Sequence, residues 1–212
     1  MSTRRELTLF TIGAADSADL VGLRASFDIA TVIELPAPAD GRSAAPPAEI
    51  REAVTRSASD WIFLVRRGEF ISQPLAAEMA GAISDPPRAW GYRLRIRPIY
   101  SGEPLLIEKG AAELRLFHRR HVRIDPRSRE MQIEGAVIRL ELPIDHVRFA
   151  SSSEHEMWLA RNAVPHSFLR RLLRFVRTAV ATGALFRSPA TVRYLWIEAG
   201  WDRGGVAVRE ED

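Results

Sequence analysis

The feature that most narrows what this chain can fold into is a strand-then-helix alternation confined to the stretch between Glu6 and Ile83. Glu6 to Ile12 (ELTLFTI), Asp28 to Leu35 (DIATVIEL) and Trp61 to Val65 (WIFLV) are short apolar runs rich in β-branched and aromatic residues. They close on Gly13, on Pro36 and on the pair Arg66–Arg67. Ala18 to Phe27 reads as a short helix. Pro47 opens a second, running to about Ser57, with Glu49 and Glu52 suited to its N-terminal dipole. Ser72 is placed to cap a third, with Pro74 in its first turn and Ile83 near its end. Three such units predict an α/β domain built on a mainly parallel sheet flanked by helices.

Beyond Pro87 the texture changes. Gly91 to Tyr100 (GYRLRIRPIY) alternates arginine with apolar residues, the period of a half-buried strand. Glu113 to Phe117 and Gly135 to Leu142 are further strand candidates, Pro165 to Gly183 is a long helix, and Ala190 to Ile197 another. Gly204–Gly205 marks a turn before an acidic tail, Glu210 to Asp212. No linker is long enough to separate independent domains, so the 212 residues read as one.

Composition removes several chemistries. Without cysteine there is no disulfide, thiolate metal site or cysteine nucleophile, and Lys109 is the single lysine open to Schiff-base chemistry. A formal charge of +3, without a zinc finger, RNP pattern or basic tail, predicts no nucleic-acid partner. The basic stretch Met1 to Glu6 is not followed by a signal-like apolar run, and no window reaches a membrane-spanning length. These features predict a cytoplasmic protein. His118–Arg–Arg–His121 sets two imidazoles three residues apart, yet the arginines between them oppose a cation, so no metal ligands are expected there.

In parallel α/β sheets, ligands gather outside the carboxyl ends of the strands. Three segments qualify: Gly13 to Asp16, Pro36 to Asp40, and Arg66 to Glu69. Asp16 and Asp19 suit a helix cap or a ligand contact. The Arg66–Arg67 pair has two readings: a solvated strand end, or guanidinium groups that grip phosphate or carboxylate through paired hydrogen bonds. The long helix also has two. Leu169, Leu172, Leu173, Val176 and Val180 form one apolar face, and Arg170, Arg174 and Arg177 cluster away from it, with Arg171 at the edge. The apolar face either packs on the domain, leaving a solvated basic face, or Phe168 to Arg187 meets an anionic membrane surface.

The string W61-I-F-L-V-R-R-G-E-F-I-S72 resembles the central block of the bacterial family 2 glycosyltransferases, in the branch acting on lipopolysaccharide-core or lipid-linked acceptors. That block carries a tryptophan, an apolar strand, Asp-Ala-Asp-Glu and an Ile/Leu-Ser before a helix. Trp61, Ile62 to Val65, Glu69, Ile71 and Ser72 align without a gap, but Arg66 and Gly68 stand where the metal-binding aspartates belong. R115-L-F-H-R119, L142-P-I-D-H146, F168-L-R-R-L-L-R174 and Y194-L-W-I-E-A-G-W-D-R-G-G205 are similar to later segments in the same order. The donor-side elements are reduced: Ala14-Ala15-Asp16 replaces an Asn-Glu pair, and Asp40–Gly41 is what echoes the uridine-binding loop.

The resemblance implies a GT-A-like, Rossmann-like fold with C-terminal helices. It divides the chain into a reduced nucleotide-binding part (1–87), acceptor-side strands (88–164) and closing helices (165–205). It implies transfer of a sugar from a nucleotide-sugar donor to a glycan or lipid-linked acceptor at the inner face of the cytoplasmic membrane, while Arg66 and Gly68 in place of the family's aspartates argue against its divalent metal. Asp40, Arg66 and Arg67 would then contact the donor, and Glu69, Glu113 and His146 are candidates for the general base. The alternative is a non-catalytic protein that binds a glycan, a phosphate-bearing lipid or a partner enzyme.

Overall fold

The computed structural model describes residues 5–13, 20–36, 47–105, 112–124, 131–165, 167–184 and 188–202. Asp16, Asp19, Asp40, Gly41, Lys109, His166, Arg187, the Gly204–Gly205 pair and the acidic tail lie outside them. The chain divides into two compact units: residues 1–96 with 110–146, and residues 97–109 with 147–212.

In the first unit, β1 (Arg5–Ile12), α1 (Val21–Ser26), β2 (Phe27–Leu35), α2 (Pro47–Arg56) and β3 (Trp61–Arg66) realise the alternation. β1 pairs in parallel with both β2 and β3. Two residues after β3 comes the short β4 (Glu69–Phe70), then α3 (Gln73–Ala82), whose cap is Ser72: its Oγ accepts from the Leu75 N–H at 3.3 Å. β5 (Gly91–Tyr100), β6 (Glu103–Pro104), β7 (Ala112–His118), β8 (Val122–Ile124), β9 (Met131–Ile133), β10 (Val137–Arg139) and β11 (Ile144–Phe149) follow, with a 3₁₀ turn at Arg119–His121; β6 and the last residues of β5 and β11 belong to the second unit.

The sheet order is β2-β1-β3-β7-β5-β11-β4, with β10 and β6 also on β5. β7 runs antiparallel to both β3 and β5, and β4 antiparallel to β11. The expected mainly parallel, GT-A-like or Rossmann-like sheet is therefore not what forms. A parallel connection needs a crossover of a dozen or more residues, usually helical. Among the described residues no α-helix joins strands of this sheet after α3, and β5 and β7 come together antiparallel.

The sheet also curls into a half-barrel, and the chain dictates why. Arg67 and Gly68 alone join β3 to β4, yet β7, β5 and β11 stand between them in the order. Three residue steps reach about 11 Å, whereas four strand places across a flat sheet span about 19 Å. Only a curled sheet brings both ends of that link into register, and Gly68 makes the turn at φ 76°.

Two apolar clusters cover the two faces of this sheet. Leu7, Leu9, Phe63, Val65, Tyr92, Leu94 and Leu116 meet α1 and α3 on one side, through Leu23, Leu75 and Met79. Phe10, Ile12, Ile33, Ile62, Leu64 and Phe117 meet Ile50 and Ala53 of α2 on the other.

In the second unit, α4 (Ser152–Asn162), β12 (Val164–Pro165), α5 (Phe168–Thr182), α6 (Pro189–Ala199) and β13 (Trp201–Asp202) surround a core of Tyr100, Leu159, Ala179, Tyr194, Leu195 and Ile197. Gly183, at φ 63°, ends α5 in a left-handed cap. No helix among the described residues is long and apolar enough to cross a membrane.

Candidate functional site

Two places in the molecule gather the residues singled out above, one in each unit. The first lies at the carboxyl end of β3. Arg66 sends Nη1 and Nη2 to the two oxygens of Glu113 on β7, at 3.3 and 2.7 Å. Arg115, two residues further along β7, is buried completely and reaches Glu69 Oε1 with Nη2 at 2.6 Å. The same Nη2 stands 3.2 Å from Glu113 Oε2, and Nη1 donates to the Leu64 carbonyl at 3.3 Å. Glu69 Oε2 accepts from the Arg66 backbone N–H at 2.8 Å. The result is an alternating chain of charges, Arg66–Glu113–Arg115–Glu69.

A β-bulge makes this reach available. In the β5–β7 register Tyr92 faces Leu116 but Arg93 faces Leu114, which leaves Arg115 as the extra residue. A bulge re-aims its side chain, and here it sends a guanidinium inward. Burial pushes the Glu69 carboxyl above its ordinary range, opposed by Arg115 and by the Arg66 N–H. Burial likewise lowers Arg115, opposed by Glu69. The buried Nε groups of Arg66 and Arg115 have no hydrogen-bond partner among the described residues.

Of the residues expected from the sequence, Glu69, Glu113 and Arg66 thus meet in one network. His146 is half-buried and stands opposite Glu69 in the β4–β11 register. Arg67 turns outward, its backbone N–H bonded to the Ile12 carbonyl at 3.1 Å, and Asp40 lies outside the described residues. Both oxygens of Glu69 are engaged, whereas Glu113 keeps about a third of its side chain exposed. Among the described residues no group of three or more histidine or carboxylate side chains converges as a metal site.

The second place is α5. It docks on α6 through Arg171 and Phe175, with Ala179 buried in the core that α6 shares. Phe175 meets the Trp196 ring edge-on with centroids 5.3 Å apart, and the Arg171 guanidinium lies 4.3 Å above that ring. This overturns the packing reading of the sequence. The leucine-rich face does not cover the unit. Phe168 is 70% exposed, Leu169 66%, Leu173 64% and Val180 68%, with Leu172 and Val176 exposed beside them. Successive residues turn by 100°, so Leu169, Leu173, Val176 and Val180 point about a third of a turn or more from the middle of the face that packs, whereas Leu172 and Phe168 border it, the Phe168 ring meeting Trp196 edge-on with centroids 6.4 Å apart. Arg170 and Arg177 border it, exposed and without a carboxylate partner among the described residues. Arg171 and Arg174 are drawn inward, the first to the Trp196 carbonyl and the second to that of Trp201.

The sequence reading missed α4 altogether, and with it the setting of His155. That imidazole is buried, stacked between Phe149 and Tyr194, with Nε2 2.9 Å from Glu198 Oε1 and Nδ1 3.4 Å from the Tyr100 hydroxyl. Ser151-Ser-Ser-Glu154 was the available signal: the Ser151 Oγ accepts from the Glu154 N–H, and the Glu154 carboxylate accepts from the Ala150 N–H. Arg115 was legible too, as a charge inside the apolar run Leu114–Phe117 that needed an acidic partner.

No protein-family model matches this chain, and no curated protein matches it. The functional reading therefore rests on geometry.

Proposed function

We propose that this chain is a peripheral lipid-surface binding protein that docks through α5 onto membranes carrying anionic phospholipid. The observation that carries the reading is the outward apolar stripe of Phe168, Leu169, Leu172, Leu173, Val176 and Val180. Fully transferring one such side chain from water gains about 1.5–3 kcal/mol, so partial insertion of several suffices for reversible binding. Arg170 and Arg177, at the edge of the stripe, sit where guanidinium groups reach phosphates while the apolar side chains enter the acyl boundary, worth about 1 kcal/mol each. Ser167 to Thr182 contains no acidic residue to oppose them. Pairing of the same face with a second copy would bring like charges together along the seam.

The test is co-sedimentation of the full chain with phosphatidylglycerol-containing vesicles and with pure phosphatidylcholine vesicles. Binding to the first alone, weakened by salt, is expected, and Leu169→Asp with Leu173→Asp should abolish it. Failure to bind the anionic vesicles at low salt overturns the reading.

Sugar transfer to a lipid-linked acceptor is the second reading. The meeting of Arg66, Glu69 and Glu113 near His146 favours it, with Glu113 as the more accessible carboxylate. Its assay is turnover of nucleotide-sugar donors with and without chelator, and Glu113→Gln should remove any turnover found.

A further inference from the structure

The second unit holds an open groove of about 490 Å³, lined by Ser153, Glu156, Met157 and Ala160 of α4, Arg171 of α5 and Trp201. Arg171 reaches it already oriented. Its guanidinium stacks over Trp196, its Nε donates to the Trp196 carbonyl at 3.1 Å, and it lies against Gly200. A Cβ at position 200 would stand 3.1 Å from Nε and 3.2 Å from Cζ, so the glycine leaves room for the side chain to lie flat. Three contacts therefore fix one guanidinium while neither Nη has a partner among the described residues. A planar fork held in this way takes an oxyanion through two hydrogen bonds with little ordering left to lose.

Glu156 lines the same groove, exposed and without an ion-pair partner among the described residues. It does not pair with Arg171, so two opposite charges stand separated across a space lined also by the Ser153 hydroxyl and by the apolar surface of Met157, Ala160 and Trp201. An oxyanion alone would meet Glu156 as a like charge.

We infer that this groove binds a small organic zwitterion, its phosphate or carboxylate on Arg171 and its ammonium group on Glu156. Arg171 belongs to the flank of α5 that packs inward, so the site is separate from the exposed stripe and stands or falls independently of membrane docking.

The ligand chemistry has two sources, a free solute and a lipid head group. Titration calorimetry of the full chain with O-phosphoethanolamine and with inorganic phosphate tests the first. Phosphatidylethanolamine–phosphatidylcholine vesicles, offered to the Leu169→Asp/Leu173→Asp variant so that the stripe cannot contribute, test the second. O-phosphoethanolamine should bind about tenfold more tightly than phosphate, and Glu156→Gln, an exposed change that leaves the fold intact, should erase that preference. Arg171→Gln should remove binding of both solutes. Saturable binding confined to the vesicles, and lost in a variant that adds Glu156→Gln, assigns the site to a head group. No saturable binding in either arm, or a preference for O-phosphoethanolamine that survives Glu156→Gln, overturns the inference.

Discussion

Glu69 and Arg115 are buried together at 2.6 Å, and the cost of separating them follows from where they sit. Two charges removed from water are tolerable as a pair, and either alone is not. Glu69→Ala should cost about 3 kcal/mol, because it leaves the buried Arg115 guanidinium with only Glu113, which it shares with Arg66. Adding Arg115→Met should cost less than the sum of the single changes, since the orphaned charge is gone. Urea unfolding of the four proteins measures the coupling, and simple additivity would mean the pair is not acting as one. Nearby, His118 responds to pH. Burial lowers its pKa from the ordinary 6.5, with His121, Arg120 and Arg119 adding to the shift and Asp60 opposing it. Its Nδ1 accepts the Arg120 N–H at 3.3 Å, and its ring meets Trp61 and Trp90 edge-on, so the folded state favours the neutral ring. The unfolded chain then takes up the proton first. The stabilisation is complete above the unfolded pKa of about 6.5 and is lost as pH falls toward the depressed folded value. Thermal melts across that range should show a decline on acidification that His118→Gln reduces.

At the scale of elements, α1 and the segment leading into α3 illustrate how little room a close contact leaves. A Cβ on Gly22 would lie 2.0 Å from the Ile71 carbonyl oxygen, so backbone approaches backbone there. Gly22→Ala should destabilise the first unit by about 1–3 kcal/mol, the range for forced overpacking, although alanine is the better helix former. An unchanged denaturation midpoint would show that α1 simply shifts aside. The vesicle experiment belongs to this scale as well. Arg170→Gln with Arg177→Gln should weaken binding to anionic vesicles by more than tenfold at low salt while leaving stability unchanged, since both side chains are exposed and neither has a carboxylate partner among the described residues. Arg171→Gln acts differently, because that residue is clamped on Trp196. The helix itself was legible in the leucine spacing and in Gly183. Which face packs was not, since Trp196 of α6 supplies an aromatic surface that matches Arg171 and Phe175 rather than the leucines.

For the whole molecule, local sequence determined where chain segments become extended or helical. Apolar runs of the right length made β1, β2 and β3, and Ser72 and Gly183 bounded their helices, because these choices depend on neighbours within a few residues. Sequence also determined that Arg66, Glu69 and the leucines of α5 would need explaining. Only the tertiary structure decided that β7 and β5 enter antiparallel, that the sheet curls until β4 closes on β11, and that Arg115 turns inward at a bulge to meet Glu69. Those outcomes depend on pairings between residues dozens of positions apart. Hydrophobic periodicity says which side of a strand or helix seeks cover, but nothing about which distant surface supplies it.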